Sequence, residues 1–313
     1  MLNKGRLYFI FQEASVSAIQ QYKKHNRQAF LMVLPSFAGL LIFSFYTIGY
    51  VIVLSFTKKI GGETVFVGIE NYIRLFSRDP NYWTAVVNTF IISAKLLVEL
   101  PVALILAVLL NSKMKSANVF RVVIFMPYIL SPVIIALIFS FLFASYEGIV
   151  NNILMMLNIS ESQINWFGTR WHSLSVIMIA SVWQCVGINM VFFLTALQSI
   201  PNELYESAAI DGANSQQQFF RITLPILKTM TRVITLLAII GTLKSADLAL
   251  VLTNGAPGGK SENMMTFVFK YFFSQGARIP QMGYAPTAGS VSALIIGVIT
   301  VVYLVTTKEG NEL

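Results

Sequence analysis

The sequence predicts an all-α polytopic membrane protein with six transmembrane helices, on three observations. Of the 313 residues, 56% are hydrophobic and only 12% charged, with a mean hydropathy of +0.69, more apolar surface than one soluble core can bury. Six apolar runs, about 30–56, 84–110, 119–145, 173–197, 226–252 and 285–307, each reach the roughly 20 residues of helix that a hydrocarbon core requires. The basic residues sit in the flanks of these runs. An even number of spans puts both termini on one side. With the N-terminus inside, the cytoplasmic segments hold twelve Lys and Arg and the external ones eight, a modest bias in the direction that retention of basic flanks in the cytoplasm produces.

The chain then divides into a cytoplasmic N-terminal segment, 1–29, a six-span domain, 30–307, and a cytoplasmic tail, 308–313. Within the first segment, Leu7, Ile10, Phe11, Ala14, Ala18 and Ile19 have the spacing of an amphipathic helix lying on the cytoplasmic face, with a disordered tail as the alternative. No cleavable signal is expected, because residues 1–29 are mixed and polar and the run that follows is too long for a signal peptide. After span one, Tyr72, Phe76, Tyr82 and Trp83 place an interfacial helix at the external headgroups.

Span two carries Lys95 and Glu99, which at i and i+4 can pair on one helix face, a structural ion pair turned into the bundle. Pro101, Pro127 and Pro132 predict kinks in spans two and three. Span four holds Ser181, Trp183, Gln184, Cys185 and Asn189 near mid-membrane; span five holds Gly241, Thr242, Lys244, Ser245 and Asp247. Polar groups at that depth face protein or water, so these spans border a hydrated path or bond to neighbouring helices.

Between those spans lies the polar loop 199–225. Pro201 suits a first helical turn, Glu203 and Glu206 favour the positive helix end, and Gly212 supplies a left-handed exit. The loop therefore reads as a short helix, a glycine stop and a second turn, available for docking a partner outside the bilayer.

Other chemistry is excluded in turn. The net charge of +8 is what membrane topology alone requires, so no nucleic-acid partner is expected. The single Cys185 rules out an internal disulfide framework. His25 and His172 fall on opposite sides of the membrane, which leaves no metal cluster and no histidine-based nucleophile. Segment 254–262 contains Gly-Gly-Lys-Ser, but Asn254 stands where a phosphate loop needs its first glycine, and the segment reads as a flexible external turn. No catalytic residue is expected; if the chain moves a solute uphill, ions or another subunit supply the energy.

The loop resembles the cytoplasmic loop of permease subunits in bacterial ATP-binding cassette (ABC) importers: Glu-Ala-Ala, three residues, Gly, nine residues, Ile, one residue, Leu-Pro. Here Glu206, Ser207 and Ala208 are followed by Gly212, Ile222, Leu224 and Pro225, with Ser207 the one departure. Tyr205, Ile210, Asp211 and Ala213 around that loop, FVGIENY at 66–72, Asn88–Thr89, LTNGAP at 252–257 and MGYAPTAGSV at 282–291 are similar to the carbohydrate-uptake branch.

The resemblance implies a type I ABC importer permease for a sugar, of oligosaccharide class. Its implied partners are a second homologous permease subunit, a cytoplasmic ATP-binding cassette ATPase dimer, an extracytoplasmic sugar-binding protein and the lipid bilayer. ATP and Mg would be used by the ATPase, with no cofactor on this chain. It also implies that Tyr205, Glu206, Ser207, Ala208, Ala209, Asp211, Gly212 and Ala213 form a coupling helix in a cleft of the ATPase. Alignment with maltose-type permeases places Ser181, Gln184, Cys185 and Ile188, then Gly241, Thr242 and Ser245, at sugar-facing positions. Ser181, Cys185, Ile188 and Gly241 depart from residues those relatives can present, which implies either a substrate other than maltose or a smaller share of the site for this subunit. Lys244 and Asp247 either read an acidic sugar or pair at i, i+3. The alternatives are an ion-coupled secondary transporter, suggested only by Lys95, Glu99, Lys244 and Asp247, and a non-transporting membrane scaffold.

Overall fold

The computed structural model describes residues 30–111, 116–273 and 281–307. The amphipathic segment at 7–22 and the tail at 308–313 lie outside the described residues. The chain separates into two units, Met1–Leu54 and Ser55–Leu313.

The first unit is represented by helix α1, which runs over Phe30–Ser55 into the start of the second and is apolar on every side, the composition of a span that meets lipid or another helix all round. A wide π-helical turn at Leu41–Phe45 interrupts it.

The second unit opens with a hairpin that the sequence reading did not include. Strands β1 (Thr57–Ile60) and β2 (Glu63–Phe66) pair antiparallel, with Ile60 opposite Glu63. Gly61 and Gly62 close it at φ of +61° and +96°, a two-residue turn that glycine adopts without steric cost. Helix α2, Glu70–Ser77, follows where the interfacial helix was expected. Asn71 on it is buried and donates to the carbonyls of Ser55 and Thr57 at 2.9 and 2.8 Å.

Helix α3, Pro80–Leu110, starts on an Asp79 cap with Pro80 in the first turn. It loosens at Ala94–Lys95, one turn before Pro101, whose ring opposes the Leu97 carbonyl. The third expected span is not one helix. Helices α4 (Ala117–Ile129) and α5 (Pro132–Leu142) meet at 96°, because Leu130 and Ser131 are both extended ahead of Pro132 and that proline opens a new helix instead of kinking an old one. A short helix α6, Ile149–Met156, leads towards α7, Arg170–Gln198, which packs against α3, α4 and α5.

Helix α8, Asn202–Ile210, precedes α9, Ser215–Lys244. The expected fifth span at 226–252 is therefore displaced. It begins eleven residues earlier and stops at Lys244, where Ser245 turns extended. Pro225 lies inside it without breaking it, since a π-helical turn at Phe219–Thr223 has already widened the ladder opposite the missing N–H. Helices α10 (Asp247–Thr253), α11 (Met264–Phe273) and α12 (Tyr284–Thr306) complete the unit. Lys244 and Asp247 consequently belong to different helices, are both exposed and form no ion pair with each other, so the i, i+3 pairing does not occur.

Three apolar clusters hold the unit together. One joins α2 and α3 to α11 and α12 through Tyr82, Phe267 and Tyr284; a second joins α5 to α7 and α10 through Ile135, Leu174 and Leu248; the third joins α3, α7 and α9 through Ala103, Met190, Phe193 and Leu227. Gly187 allows the closest helix contact: a Cβ there would fall on the Ile124 carbonyl of α4, so no larger residue fits without separating α4 from α7. Among the described residues, five helices are long and apolar enough to cross a bilayer, six if the bent pair α4–α5 forms one span.

Candidate functional site

The loop that joins α7 to α9 is built from local chemistry. Helix α8 ends in two bonds characteristic of a glycine stop: Gly212 N–H donates to the Ala209 carbonyl at 3.1 Å and Ala213 N–H to the Ala208 carbonyl at 2.8 Å. Gly212 holds φ +83°, and nothing in the chain lies within 4 Å of an added Cβ, so the glycine serves backbone conformation and leaves open space beside the helix end. Asn214 then caps α9 reciprocally with Gln217, each side chain accepting from the other's N–H at 2.9 Å.

Three side chains tie α8 to the base of α9. Tyr205 OH and Thr223 Oγ1 share a hydrogen bond of 2.9 Å, and Gln218 Nε2 donates to the carbonyls of Tyr205 and Ala213. The two helices therefore form one hydrogen-bonded piece. Its outer surface is free: Glu206, Ser207, Ala209, Asp211 and Gly212 are exposed, Ala208 and Ala213 are half-buried, and Ile210 is 88% exposed. An 88% exposed isoleucine beside two exposed carboxylates and a helix face of small residues is suited to seating in another protein.

The residues proposed for a polar path divide into two sets. On α7, Ser181, Gln184, Cys185 and Ile188 fall at i, i+3, i+4 and i+7, one helix face, and all are half-buried. Cys185 lies close enough to Lys95 and Glu99 of α3 to sense both charges. On α9, Thr242 is buried, whereas Gly241 and Ser245 are exposed, Ser245 just past the helix end. The helices touch through the core containing Phe193, Leu197, Leu227 and Ile234.

The expected pair in span two is present and tighter than the sequence implied. Lys95 Nζ and Glu99 Oε2 are 2.6 Å apart with both side chains almost wholly buried, and Asn189 of α7 donates to the other Glu99 oxygen at 2.6 Å. The carboxylate thus bridges α3 to α7 with both oxygens engaged, which is what makes a charge tolerable at that depth.

At the other end of the spans, the sequence reading missed an interlock. Segment 254–262 is no flexible turn: Ser261, Glu262 and Asn263 are buried, Lys270 Nζ meets Glu262 Oε1 at 2.9 Å and the Asn254 carbonyl at 2.6 Å, and Gly255 at φ +78° leaves room for that pair. Asn88 donates to the carbonyls of Lys260 and Glu262 at 2.8 and 2.6 Å while accepting from Arg170 Nε at 2.9 Å. One asparagine therefore fastens α3, the loop and α7 together. In sequence, Asn88–Thr89 and LTNGAP at 252–257 stand out as motifs without a structural role.

Comparison with known proteins bears on this architecture. A profile of the family described as binding-protein-dependent transport system inner membrane component matches residues 99–307. The arabinooligosaccharides transport system permease protein AraP of Bacillus subtilis is 35% identical over 279 residues, covering 88% of this chain and 87% of its own. The lactose transport system permease protein LacF of Rhizobium radiobacter is 32% identical over 299 residues, covering 94% of this chain and 98% of its own. A chain in the crystal structure of a bacterial ABC transporter involved in the import of the acidic polysaccharide alginate shares the fold, with a TM-score of 0.78 at 22% identity over 93% of this chain and 98% of that one. A multi-pass helical bundle, a glycine-stopped helix facing outward between two of its spans, and relatives matched nearly end to end agree: the chain belongs to the family of binding-protein-dependent transport system inner membrane components.

Proposed function

We propose that the chain is the permease subunit of an ATP-driven, binding-protein-dependent importer of oligosaccharides, and that α8 is its coupling helix. The observation that carries this reading is the α8–α9 piece: a stiff helix, exposed on one side, hydrogen-bonded through Tyr205 and Thr223 to the base of a membrane-crossing helix. The printed names of the relatives support the sugar class. A solved complex of the alginate transporter with a pentasaccharide-bound periplasmic protein, 22% identical to this chain, supports a binding protein as donor.

On this reading the chain lies in a bacterial cell membrane with both termini in the cytoplasm, so that 199–225 faces the ATPase. Glu206 and Asp211 offer carboxylates to basic groups of the ATPase, and Ala208 and Ala209 allow its surface close to the helix backbone. Closure of an ATPase dimer moves α8 as a rigid body, and α9 moves with it. A second permease completes the path, in which Ser181, Gln184, Cys185 and Ile188 meet Gly241, Thr242 and Ser245 around the sugar. ATP and Mg act on the partner chains. An ion-coupled mechanism loses its basis in Lys95 and Glu99, because that pair is closed against Asn189 and has no oxygen to spare.

The test is uptake of arabinooligosaccharide or lactose into inverted-free membrane vesicles containing the assembled importer, with ion gradients collapsed. Transport that requires ATP and survives loss of the gradients supports the proposal; transport that stops with the gradients and ignores ATP overturns it.

A further inference from the structure

A cleft of about 570 Å³ opens where α2 meets the start of α3 and the first residue of α7, and its lining includes Arg78, Arg170, Asp79, Phe76, Trp83 and Val87. Its charged groups are two arginines against one carboxylate. Asp79 has both oxygens committed, Oδ1 accepting from Asn81 N–H at 3.1 Å and Oδ2 from Tyr284 OH at 2.7 Å. Arg78 has no ion pair and no side-chain hydrogen bond among the described residues. Arg170 is fixed by its Nε bond to Asn88 and by lying 5.2 Å over the Trp171 ring, which leaves its Nη groups free of any carboxylate. Two arginines, one of them preorganised, thus share a concavity with a single carboxylate whose oxygens are both turned to neutral donors, which leaves the cleft net positive.

The cleft also heads an apolar track. Its α3 residues Pro80, Trp83, Thr84 and Val87 recur at helical spacing, and the same face continues through Val98, Val102, Ile105 and Leu109, all exposed within the 55–307 unit. The Phe76 and Trp83 rings meet tilted by 50°, centroids 5.4 Å apart, beside the arginines, with Trp83 Nε1 bound to the Leu75 carbonyl, the amphipathic arrangement of aromatic side chains at headgroup depth. A soluble sugar would need polar groups along the whole track, and the track below the arginines is apolar. A lipid needs an anion site at the top and hydrocarbon below, which is the order found here.

We infer that this cleft binds the headgroup phosphate of an anionic phospholipid, with an acyl chain along the exposed face of α3. The experiment is native mass spectrometry of the assembled importer in detergent, with phosphatidylglycerol added at rising concentration, phosphatidylcholine as the zwitterionic control, and inorganic phosphate and galacturonate as soluble competitors. Phosphatidylglycerol is expected to bind in preference to phosphatidylcholine. Arg78→Gln should weaken that binding about fivefold and Arg78→Gln/Arg170→Gln should remove the preference, as expected for surface cations that each attract anionic lipid. Lys59→Gln in the hairpin should change nothing. Because the Arg78 side chain is exposed and bonded to nothing described, its substitution tests the site without unfolding the chain. Equal binding of both lipids, undiminished binding by Arg78→Gln, or displacement by phosphate or galacturonate at concentrations equal to the lipid would overturn the inference. So would lipid adducts on the isolated chain that vanish in the assembled importer, since the face would then belong to a subunit contact.

Discussion

Glu99 is the residue whose surroundings most restrict it. Its two oxygens are taken by Lys95 and Asn189, and all three side chains are buried. Lys95→Met should therefore destabilise the chain by about 3–5 kcal/mol, because it leaves a buried carboxylate with only an amide partner, whereas Lys95→Met/Glu99→Leu should recover most of that loss. Thermal unfolding of the detergent-solubilised protein measures both; a single substitution as mild as the double one would contradict the account. Gly212 behaves differently. Gly212→Ala imposes about 1–2 kcal/mol of left-handed strain on the exit of α8 and meets nothing in this chain. Its level in the membrane should stay near that of the wild type while sugar uptake falls, as immunoblotting and uptake on the same cells would show.

Among the elements, α8 and the pairing on α3 were legible from sequence, because both are local. A glycine after a short helix sets its stop within four residues, and i, i+4 charges on one helix can hardly avoid meeting. The bend between α4 and α5 was not legible, because the run 119–145 is apolar throughout and hydropathy cannot tell whether Pro132 kinks a helix or begins one. Lys244 and Asp247 misled for the complementary reason: their spacing presumes a continuous helix, and α9 ends between them. The hairpin had a readable signal in Gly61-Gly62 between β-forming residues, hidden by the attention that apolar runs command. The Asn88–Arg170 and Glu262–Lys270 contacts are tertiary, joining groups whose separation in the chain carries no period. Gly187 is likewise visible only as a helix crossing. Gly187→Ala should push α4 from α7 and cost about 1–3 kcal/mol, and a thermal midpoint equal to that of the wild type would show that the two backbones have room to separate.

At the scale of the whole molecule, a fastened end, a polar middle and an exposed loop are joined in one chain. Asn88 and the Glu262–Lys270 pair fasten one end of the spans, Glu99 fastens the middle, and the α8–α9 piece presents a bonded yet uncovered surface. On the proposed function, motion imposed by the ATPase enters through α8, and α9 transmits it. The most direct measurement of that claim is the ratio of sugar transported to ATP hydrolysed by the importer reconstituted in liposomes, comparing wild type with Gly212→Val, a β-branched residue that strongly resists positive φ. The account predicts that hydrolysis continues while the ratio falls at least tenfold, to about a tenth or less, given a disrupted helix exit at the point of coupling. An unchanged ratio, with Gly212→Val assembled and hydrolysing at the wild-type rate, would contradict it.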